Sequence, residues 1–460
     1  MIHTAATQTA AREPMRPIFC LIMALMVAIS AFSSSAQSPQ KWVTSWTGSV
    51  QGPYPIGNPS AQPDLRFAFP SPEIGARDQS FRLTVRPDLW GRQVRLRFSN
   101  ALGTRPITFE GIHVALQRTA AALVPGTSQP VSFAGEGATT VAPGSSVWSD
   151  PVPLPFVHDP AAAELLGRKL AVSFHVVGES GPMTWHAKAL TTSYITPPGA
   201  GAKGDNEDES AFLFSTASWY FLDALDMLAP ADARAIVAFG DSITDGTAST
   251  MNGDDRWPDV LARRLHMVYG NKIAVVNAGI GGNQVVGPAE YSPQKPYPGG
   301  PSAKDRLDRD VLSLSGIAAV VWLEGINDFS KNGNAPVEAV EAGMKDVVGR
   351  IRAKFAGIRI IGATLTSALG STNPNHGSPE QDAKRKALNE FIRKGGLFDG
   401  IADFDATTLD PQTGGMRAEF VPESTSGGPG DKIHPNRVGY LAMGWAIDLN
   451  LLATIPVARK

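Results

Sequence analysis

Cysteine is almost missing from this sequence. The 460 residues contain one cysteine, Cys20, which lies in a segment that we predict below to be removed during export. Without it the mature chain has no thiol, which excludes disulfides, thiolate-held metal ions and a cysteine nucleophile. Cys20 also follows RPIF rather than the small residues of a lipid-attachment site, so the sequence predicts no lipid anchor there.

Strong charge and the signatures of several enzyme classes are missing too. Charged residues make up 18% of the chain, the formal net charge is -2, and no basic stripe occurs. These features exclude nucleic acid as a partner. The pattern GxSxG is missing around the serine motif discussed below, which argues against an α/β-hydrolase. HExxH and GxxxxGK[ST] are also missing, which argues against a zincin and a P-loop NTPase.

The apolar segment near the N-terminus is short for a bilayer span. Residues 18–32 are almost wholly apolar, Arg12 and Arg16 precede them, and the small residues of SSSAQ follow. This is the pattern of an export signal with its cleavage site. Residues 1–36 are therefore predicted to be a signal peptide, and the mature protein to be secreted or periplasmic without a stable membrane anchor. A retained anchor is the alternative.

Length and composition predict more than one domain. A chain of this length with 43% hydrophobic residues can bury two or three sizeable cores. Residues 37–228 contain runs such as RQVRLRFSN and KLAVSFHVVG between turn-forming stretches, and they predict a β-sandwich-like domain. Whether this domain binds carbohydrate or only packs against its neighbour stays open. Its acidic stretch 199–210 is predicted to be an exposed loop, with a calcium site as the alternative.

Residues 229–460 have a different pattern. Short apolar segments such as AIVAF, KIAVVNAG, IAAVVWLEG and IRIIGATL alternate with amphipathic helical segments. This alternation predicts a mostly parallel sheet with helices on both faces. In such sheets, sites form in the loops that leave the carboxyl ends of the strands.

One of these strands ends in a serine motif. Ser242 lies in GDSIT directly after the first predicted strand, where it either caps an ordinary helix or acts as a nucleophile. A serine hydroxyl needs a neighbouring base to become a nucleophile. Of the eight histidines, His434 in DKIHPN has Asp431 three residues before it, a spacing that lets the carboxylate hold one imidazole nitrogen. Two residues of an ordinary turn are the alternative.

Two further strand ends carry groups that could stabilise an oxyanion. NAGIGGN (277–283) follows the second strand, where a glycine lets a backbone N–H approach a substrate closely. LEGINDFS (323–330) follows the third strand, and Asn327 supplies an amide donor. A glycine turn and a loop asparagine are the alternatives for each motif alone. Four candidates after strands of one predicted sheet favour a catalytic site.

These four motifs, in this order, resemble the blocks of the SGNH hydrolases, also called GDSL esterases and lipases. The resemblance covers roughly residues 234–455, and Ile243 replaces the familiar leucine of the first block. It implies a flavodoxin-like three-layer α/β/α sandwich without a metal or organic cofactor. It also implies Ser242 as nucleophile, His434 and Asp431 as its partners, and an oxyanion hole made by Ser242, Gly282 and Asn327. Gly281 and Gly279 are alternatives to Gly282. The N-terminal region looks, more loosely, like the β-domain that precedes the catalytic domain in some secreted bacterial members.

The substrate is less well defined by the sequence. A serine esterase acting on short-acyl or carbohydrate acetyl esters is expected, so the partner is a small-molecule or polysaccharide ester. No long amphipathic lid segment stands out, which favours these esters over the alternative of a lipase or lysophospholipase. A glycan-binding protein with a decayed catalytic domain is the competing class.

Overall fold

The computed structural model describes residues 1–3 and 39–452. Nearly all of the predicted signal peptide, including Cys20, lies outside the described residues, so export stays a prediction. Within the described ranges, no helix is both long and apolar enough to cross a membrane.

Antiparallel strands make up the N-terminal region. Its strands are β1 (Gln40–Thr47), β2 (Gly52–Pro53), β3 (Arg77–Val85), β4 (Gln93–Ser99), β5 (Ile107–Thr119), β6 (Ala122–Leu123), β7 (Gln129–Pro130), β8 (Ala138–Val141), β9 (Ser146–Trp148), β10 (Val152–Pro153), β11 (Leu170–Glu179), β12 (Thr184–His186), β13 (Ser193–Ile195), β14 (Phe214–Thr216), β15 (Trp219–Tyr220) and β16 (Leu222–Pro230). One sheet has the order β1-β16-β4-β10, with β9 on β4. A second has the order β14-β13-β3-β11-β5-β6, with β7 and β8 on β5, and β15-β12-β2 form a small third sheet.

Aromatic rings from the two larger sheets share one core. The ring centroid of Phe98 on β4 lies 5.2 Å from that of Phe174 on β11 and 5.2 Å from that of Phe109 on β5. Phe81 on β3 stacks on Phe174, also at 5.2 Å. Successive side chains of a strand point to opposite faces, so each sheet directs one row of apolar residues toward the other. The predicted β-sandwich-like architecture is confirmed.

The acidic loop predicted at 199–210 folds around an arginine. The buried Arg82 on β3 donates from Nη2 to the carbonyl oxygen of Asn206 at 2.5 Å and of Gly204 at 3.4 Å. Its Nη1 donates to the carbonyl oxygen of Asp208 at 3.3 Å. The backbone of this loop is therefore held by a guanidinium of the sheet, while the calcium site stays an untested alternative.

A parallel sheet of five strands forms the C-terminal region. The strands are β17 (Arg234–Gly240), β18 (Ile273–Gly279), β19 (Ile317–Leu323), β20 (Arg359–Ala363) and β21 (Gly400–Ala402). Their order is β18-β17-β19-β20-β21, with all neighbours parallel. This is the flavodoxin-like strand order. The topological switch point lies at β17, because the chain adds β18 on one side of β17 and the later strands on the other side. The predicted fold class is confirmed, with β21 as a fifth strand that the sequence did not predict.

Helices connect these strands. They are α1 (Ser242–Asp245), α2 (Trp257–Tyr269), α3 (Ala303–Leu307), α4 (Val337–Lys354), α5 (Pro379–Lys394), α6 (Phe404–Thr408) and α7 (Arg437–Ala446), with 3-10 turns at Ala163–Leu165, Ala418–Phe420 and Leu449–Leu452. The helix predicted after NAGIGGN is shorter than expected, because α3 changes into a π-helical turn, Asp308–Leu312.

The two regions pack together in one compact unit that begins at Gln40. Strand β16 ends at Pro230 and β17 begins at Arg234, so three residues join the regions. Thr44 of β1 donates its N–H to the carbonyl oxygen of Ser315 just before β19, at 3.0 Å. The domain limits given above, 37–228 and 229–460, stay a prediction.

Candidate active site

Ser242 lies at the carboxyl end of the central strand β17. The chain leaves β17 at Gly240, and Asp241 caps α1 by accepting the N–H of Ile243 at 3.0 Å. The helix ends after one turn at Gly246, whose φ of 103° suits glycine. Ser242 is only 5% exposed, and its remaining surface faces a cavity. The serine thus lies at the point of the sheet where ligands bind in this class of fold.

The structure brings the predicted histidine and aspartate to this serine. Nε2 of His434 lies 2.8 Å from Oγ of Ser242, and Nδ1 lies 2.6 Å from Oδ2 of Asp431. The other carboxylate oxygen of Asp431 accepts the backbone N–H groups of Ile433 at 2.9 Å and His434 at 3.0 Å. An imidazole that donates from Nδ1 to a carboxylate keeps Nε2 free to accept a hydroxyl proton.

The electrostatics of Asp431 favour its charged form. Burial alone would raise the pKa of this carboxyl. The hydrogen bond and charge of His434, together with the two backbone N–H groups, overcome burial and lower the pKa well below its ordinary value. Asp431 is itself held by Ser371, whose hydroxyl donates to the Asp431 carbonyl oxygen at 2.6 Å. A charged, fixed carboxylate therefore faces the imidazole at neutral pH.

The glycine-rich loop after β18 offers one free backbone donor. The N–H of Gly279 donates to Oδ1 of Asn277, and the N–H of Gly281 donates to Oδ2 of Asp245, both at 2.9 Å. Within residues 39–452, no hydrogen bond occupies the N–H of Gly282, which lines the cavity beside Ser242. Its φ of +85° is a conformation that favours glycine. Of the three glycines left open by the sequence, Gly282 has the geometry of an oxyanion donor.

Asn327 supplies a side-chain amide to the same cavity. One of its two amide hydrogens is used, because Nδ2 donates to the carbonyl oxygen of Asn283 at 3.0 Å. Asn327 is 9% exposed and lines the cavity with Ser242 and Gly282. The second amide hydrogen is therefore available to a ligand.

Buried carboxyl groups support these loops from behind. Asp328 accepts the N–H groups of Val285 at 2.8 Å and Val286 at 3.0 Å, and burial raises its pKa to about 7. Burial likewise raises the pKa of Asp241 and of Glu324. None of these three carboxyl groups lines the cavity, so they serve the architecture of the loops.

A buried arginine ties the strand ends together. Arg306 donates to the carbonyl oxygens of Gly240 and Ala278, at 2.8 Å each, and to Oδ1 of Asn283 at 2.7 Å. These carbonyls belong to the last residue of β17 and the last but one of β18. The spacing between the loops that carry Ser242 and Gly282 is thereby fixed.

The cavity in front of the serine is about 480 Å3 in volume. Polar side chains dominate its lining, whereas long aliphatic side chains are scarce in it. Its lining includes Asn58, Ser60, Lys188, Thr247, Tyr297, Ser330, Asn332, Asn373, Asn375 and His376 in addition to Ser242, Gly282, Asn327 and His434.

Several of these lining residues were missed by the sequence analysis. Asn373, Asn375 and His376 lie in the loop after β20, so the rule that sites form at carboxyl strand ends would have found them. Burial, and next the neighbouring His434, lower the pKa of His376 to about 4. Asn58 comes from the β-rich region, where no motif marks it.

Lys188, also from the β-rich region, is a buried cation at the cavity wall. Burial is the main cause that lowers its pKa, while Asp245 acts in the opposite direction. Its Nζ donates to Oγ1 of Thr247. His186, on the same segment, lies with Nε2 3.2 Å from Oδ1 of Asp245, although not in hydrogen-bond alignment. The wall beside the serine is therefore built partly by the N-terminal region.

The described residues hold no cluster of three or more histidine, cysteine or acidic side chains that could bind a metal ion.

Residues 238–442, which contain all five predicted site residues, match the model of the GDSL-like lipase/acylhydrolase family. Among solved structures, the chain is similar to Est24, a carbohydrate acetylesterase from Sinorhizobium meliloti, at 16% identity and a TM-score of 0.35, covering 48% of this chain and 99% of that one. It is also similar to an aryl esterase from M. smegmatis, at 17% identity and a TM-score of 0.37, covering 48% and 99%. A lipase/acylhydrolase from Enterococcus faecalis is 22% identical with a TM-score of 0.35, covering 48% and 95%. A comparison with curated proteins finds no match.

Proposed function

We propose that this carboxylic ester hydrolase, whose residues 238–442 match the model of the GDSL-like lipase/acylhydrolase family, cleaves short-acyl or carbohydrate acetyl esters through an acyl-enzyme on Ser242. The observation that carries this proposal is the hydrogen-bonded chain from Oγ of Ser242 through the ring of His434 to Asp431. Such a chain turns an inert hydroxyl into a nucleophile.

In the proposed mechanism, His434 takes the proton of Ser242 while Oγ attacks the ester carbonyl carbon. The carbonyl oxygen becomes an oxyanion, which accepts hydrogen bonds from the N–H groups of Ser242 and Gly282 and from the amide of Asn327. As the intermediate collapses, the C–O bond to the alcohol breaks and His434 returns the proton to the leaving oxygen. A water molecule, deprotonated by His434, then attacks the acyl carbon of the acyl-enzyme. The bond from this carbon to Oγ breaks, His434 returns the proton to Oγ, and the carboxylic acid leaves.

The lining of the cavity supports a polar alcohol part of the substrate. Asparagine and serine side chains such as Ser60, Asn332 and Asn375 offer hydrogen bonds that a sugar ring can use and an acyl chain cannot. A long acyl chain would need a continuous apolar wall, because its binding rests on burial of CH2 groups at about 0.8 kcal/mol each. We further propose, from the predicted export signal, that the substrate lies outside the cytoplasm.

The test is an acyl-length profile combined with a polymer assay. We expect kcat/KM on p-nitrophenyl esters to be highest for acetate or butyrate and to fall at least tenfold by octanoate. Acetate release from acetylated xylan should be measurable with the same preparation. The Ser242→Ala variant serves as the control and should release no acyl group in either assay.

Other profiles would change the assignment. A maximum at octanoate or longer esters would contradict the proposal and indicate a lipase or lysophospholipase. A folded protein that hydrolyses no ester but retains glycan would indicate a binding protein.

A further inference from the structure

The peptide group between Gly281 and Gly282 carries the backbone donor proposed for the oxyanion. The carbonyl of Gly281 and the N–H of Gly282 belong to one planar unit, and in a trans peptide they point in opposite directions. Whatever holds the carbonyl oxygen of Gly281 therefore also aims the N–H of Gly282. The residue that does so comes from the N-terminal region.

Asn58 holds this carbonyl. Its Nδ2 donates to the carbonyl oxygen of Gly281 at 3.0 Å, across 223 positions of the sequence. A carbonyl oxygen only accepts, so the amide nitrogen must face it. A donor on the carbonyl also polarises the peptide group and strengthens its N–H as a donor to the oxyanion. The contact affects both the direction and the strength of the Gly282 N–H.

The segment that carries Asn58 is fixed by β12. The indole Nε1 of Trp185 donates to the carbonyl oxygen of Ile56 at 2.9 Å. A Cβ on Gly57 would lie 2.8 Å from Cβ of Ala187, so the backbone there is in close contact with the residues after β12. The position of Asn58 is thus set by packing within the β-rich region and not by the catalytic domain.

The N–H of Gly281 is held from the other side. It donates to Asp245 Oδ2 at 2.9 Å, and Asp245 is approached by His186 of β12 at 3.2 Å. The two amide groups around Gly281 are therefore both constrained, one by Asn58 directly and one through a carboxylate that borders β12. Contacts from the β-rich region therefore reach the glycine-rich loop 277–283 at both points, directly through Asn58 and indirectly through Asp245.

We propose that Asn58 is a positioning residue for ester hydrolysis and that the β-rich region thereby completes the oxyanion hole of the catalytic domain. This inference rests on the proposed function. It gives the N-terminal region a part in the chemical step, which neither a glycan-binding accessory nor a simple packing partner would have. Contacts made at the developing oxyanion act on the transition state and not on the bound ester, so their loss lowers kcat more than it raises KM.

The experiment compares Asn58→Ala and Asn58→Asp with the wild type, using p-nitrophenyl acetate and the full chain. We expect kcat to fall about tenfold or more in Asn58→Ala, up to the hundredfold typical of losing an oxyanion donor itself, with KM changed less than about threefold. Asn58→Asp should lose more, because a carboxylate of the same shape cannot donate and repels the carbonyl oxygen. The affinity for a trifluoromethyl ketone, which forms an oxyanion on serine, should fall in parallel with kcat.

Gln62→Ala is the matched structural control. Gln62 lies four residues further on and holds the same segment through Ala217 N–H at 2.7 Å and Thr216 Oγ1 at 3.0 Å, without touching Gly281. Its loss should lower the melting temperature while leaving kcat within about threefold of the wild type. Because Asn58→Asp is isosteric, it also tests the proposal if Asn58→Ala folds poorly.

The outcomes separate the two proposals. Active wild-type protein with kcat unchanged in both Asn58 variants, or an equal loss of kcat in Gln62→Ala, would overturn the positioning role and leave the proposed function intact. Wild-type protein that hydrolyses no ester would overturn both.

Discussion

The tautomer of His434 is fixed by the hydrogen bonds that its two neighbours, Asp431 and Ser242, make. Oδ1 of Asp431 is occupied by two backbone N–H groups, so the carboxylate cannot rotate and Oδ2 must face Nδ1 of His434. A carboxylate accepts and cannot donate, so Nδ1 carries the hydrogen and Nε2 is left to accept from Ser242. The proton arrangement needed for base catalysis follows from the backbone around residue 431.

Asp431→Asn should therefore impair the chemistry without unfolding the protein. An amide in this position can turn its NH2 toward Nδ1 of His434, which favours the wrong tautomer, while its oxygen still accepts the two backbone N–H groups. We expect kcat to fall about 10³- to 10⁴-fold, as at comparable triads, with little change in KM or melting temperature. Steady-state kinetics on p-nitrophenyl acetate measures this. A loss of less than tenfold would contradict the role assigned to Asp431.

The sequence predicted those site residues that a local pattern marks. Ser242, Gly282 and Asn327 follow strands that are visible as apolar runs, and Asp431 and His434 lie three residues apart. Nothing local marks Asn58 or Lys188, because their neighbours in space are more than fifty residues away in sequence. Such contacts are decided by how the two regions pack.

Helices and strands were predicted correctly where the apolar pattern is long or where capping residues mark the start of a helix. Helices α2 and α5 begin at WPD and SPE, each with proline in the first turn. A capping box links Ser378 and Gln381 at the start of α5, and at the start of α2 the carboxylate of Asp259 accepts the N–H of Arg256 at 3.1 Å. Strand β21, Gly400–Ala402, was missed because three residues cannot show a period. The shortening of α3 was also missed, because its π-helical continuation keeps a helix-like spacing of apolar residues.

The helix that follows His434 is held in close contact with α2 by a glycine. A Cβ added at Gly444 of α7 would lie 2.4 Å from Cβ of Val260 and 2.9 Å from the carbonyl oxygen of Trp257. The two helices therefore touch at backbone distance at this point. Because α7 begins three residues after His434, its placement also affects the imidazole.

Gly444→Ala should displace α7 from α2. We expect the free energy of unfolding to fall by about 1–3 kcal/mol, as for overpacked cores, and kcat to fall with it. Thermal unfolding followed by circular dichroism, together with esterase kinetics, measures both effects.

Gly349→Ala is the control for that substitution. Gly349 is a helical glycine of α4 around which a Cβ meets nothing within 4 Å. Alanine there should raise stability by about 0.5–1 kcal/mol and leave kcat unchanged. Equal stability of the two variants would contradict the close-packing argument at Gly444.

For the molecule as a whole, charged groups join the two regions behind the active site. Oδ2 of Asp88, between β3 and β4, accepts the N–H of Val275 at 2.7 Å and lies 3.3 Å from Nε2 of His266 on α2. Burial alone would lower the pKa of His266, but the charge and hydrogen bond of Asp88 raise it, and Arg86 acts against this. Burial alone would raise the pKa of Asp88, but His266 lowers it.

The contact should make stability depend on pH. The pKa of His266 is higher in the folded protein than in the unfolded chain. Its contribution to the free energy of unfolding is therefore complete at pH values below the unfolded pKa and is lost as pH rises through the folded pKa. The pKa of Asp88 is lower in the folded protein than in the unfolded chain. Its contribution to the free energy of unfolding is therefore complete above the unfolded pKa and is lost as pH falls through the folded pKa. The pair therefore stabilises the protein most between the unfolded pKa values of an aspartate and a histidine, roughly pH 4 to 6.5.

His266→Gln tests this dependence. We expect it to lower the free energy of unfolding by about 1.5–3 kcal/mol at pH 6, typical of a hydrogen bond to a charged group, and by less at pH 8. Melting temperatures of both proteins across this range give the comparison, with exposed His158→Gln as the control. A difference that is constant with pH, or larger at pH 8, would contradict the assignment.

The sequence predicted two kinds of architecture but not that one would help to build the other's site. The apolar patterns show which face of each strand is buried. They do not show which part of the chain packs against that face. Contacts such as Asn58 with Gly281 and Asp88 with Val275 join segments about 190 to 220 positions apart, so only the folded chain reveals them.

Mass spectrometry of the protein treated with a fluorophosphonate shows whether Ser242 reacts as a nucleophile with His434 as its base. We expect one adduct, located by peptide mapping on Ser242. We also expect no adduct in Ser242→Ala, and labelling slowed at least about a hundredfold in His434→Ala, at the low end of the effect of general-base catalysis. An adduct on another residue, or labelling of His434→Ala at the wild-type rate, would contradict these roles of Ser242 and His434.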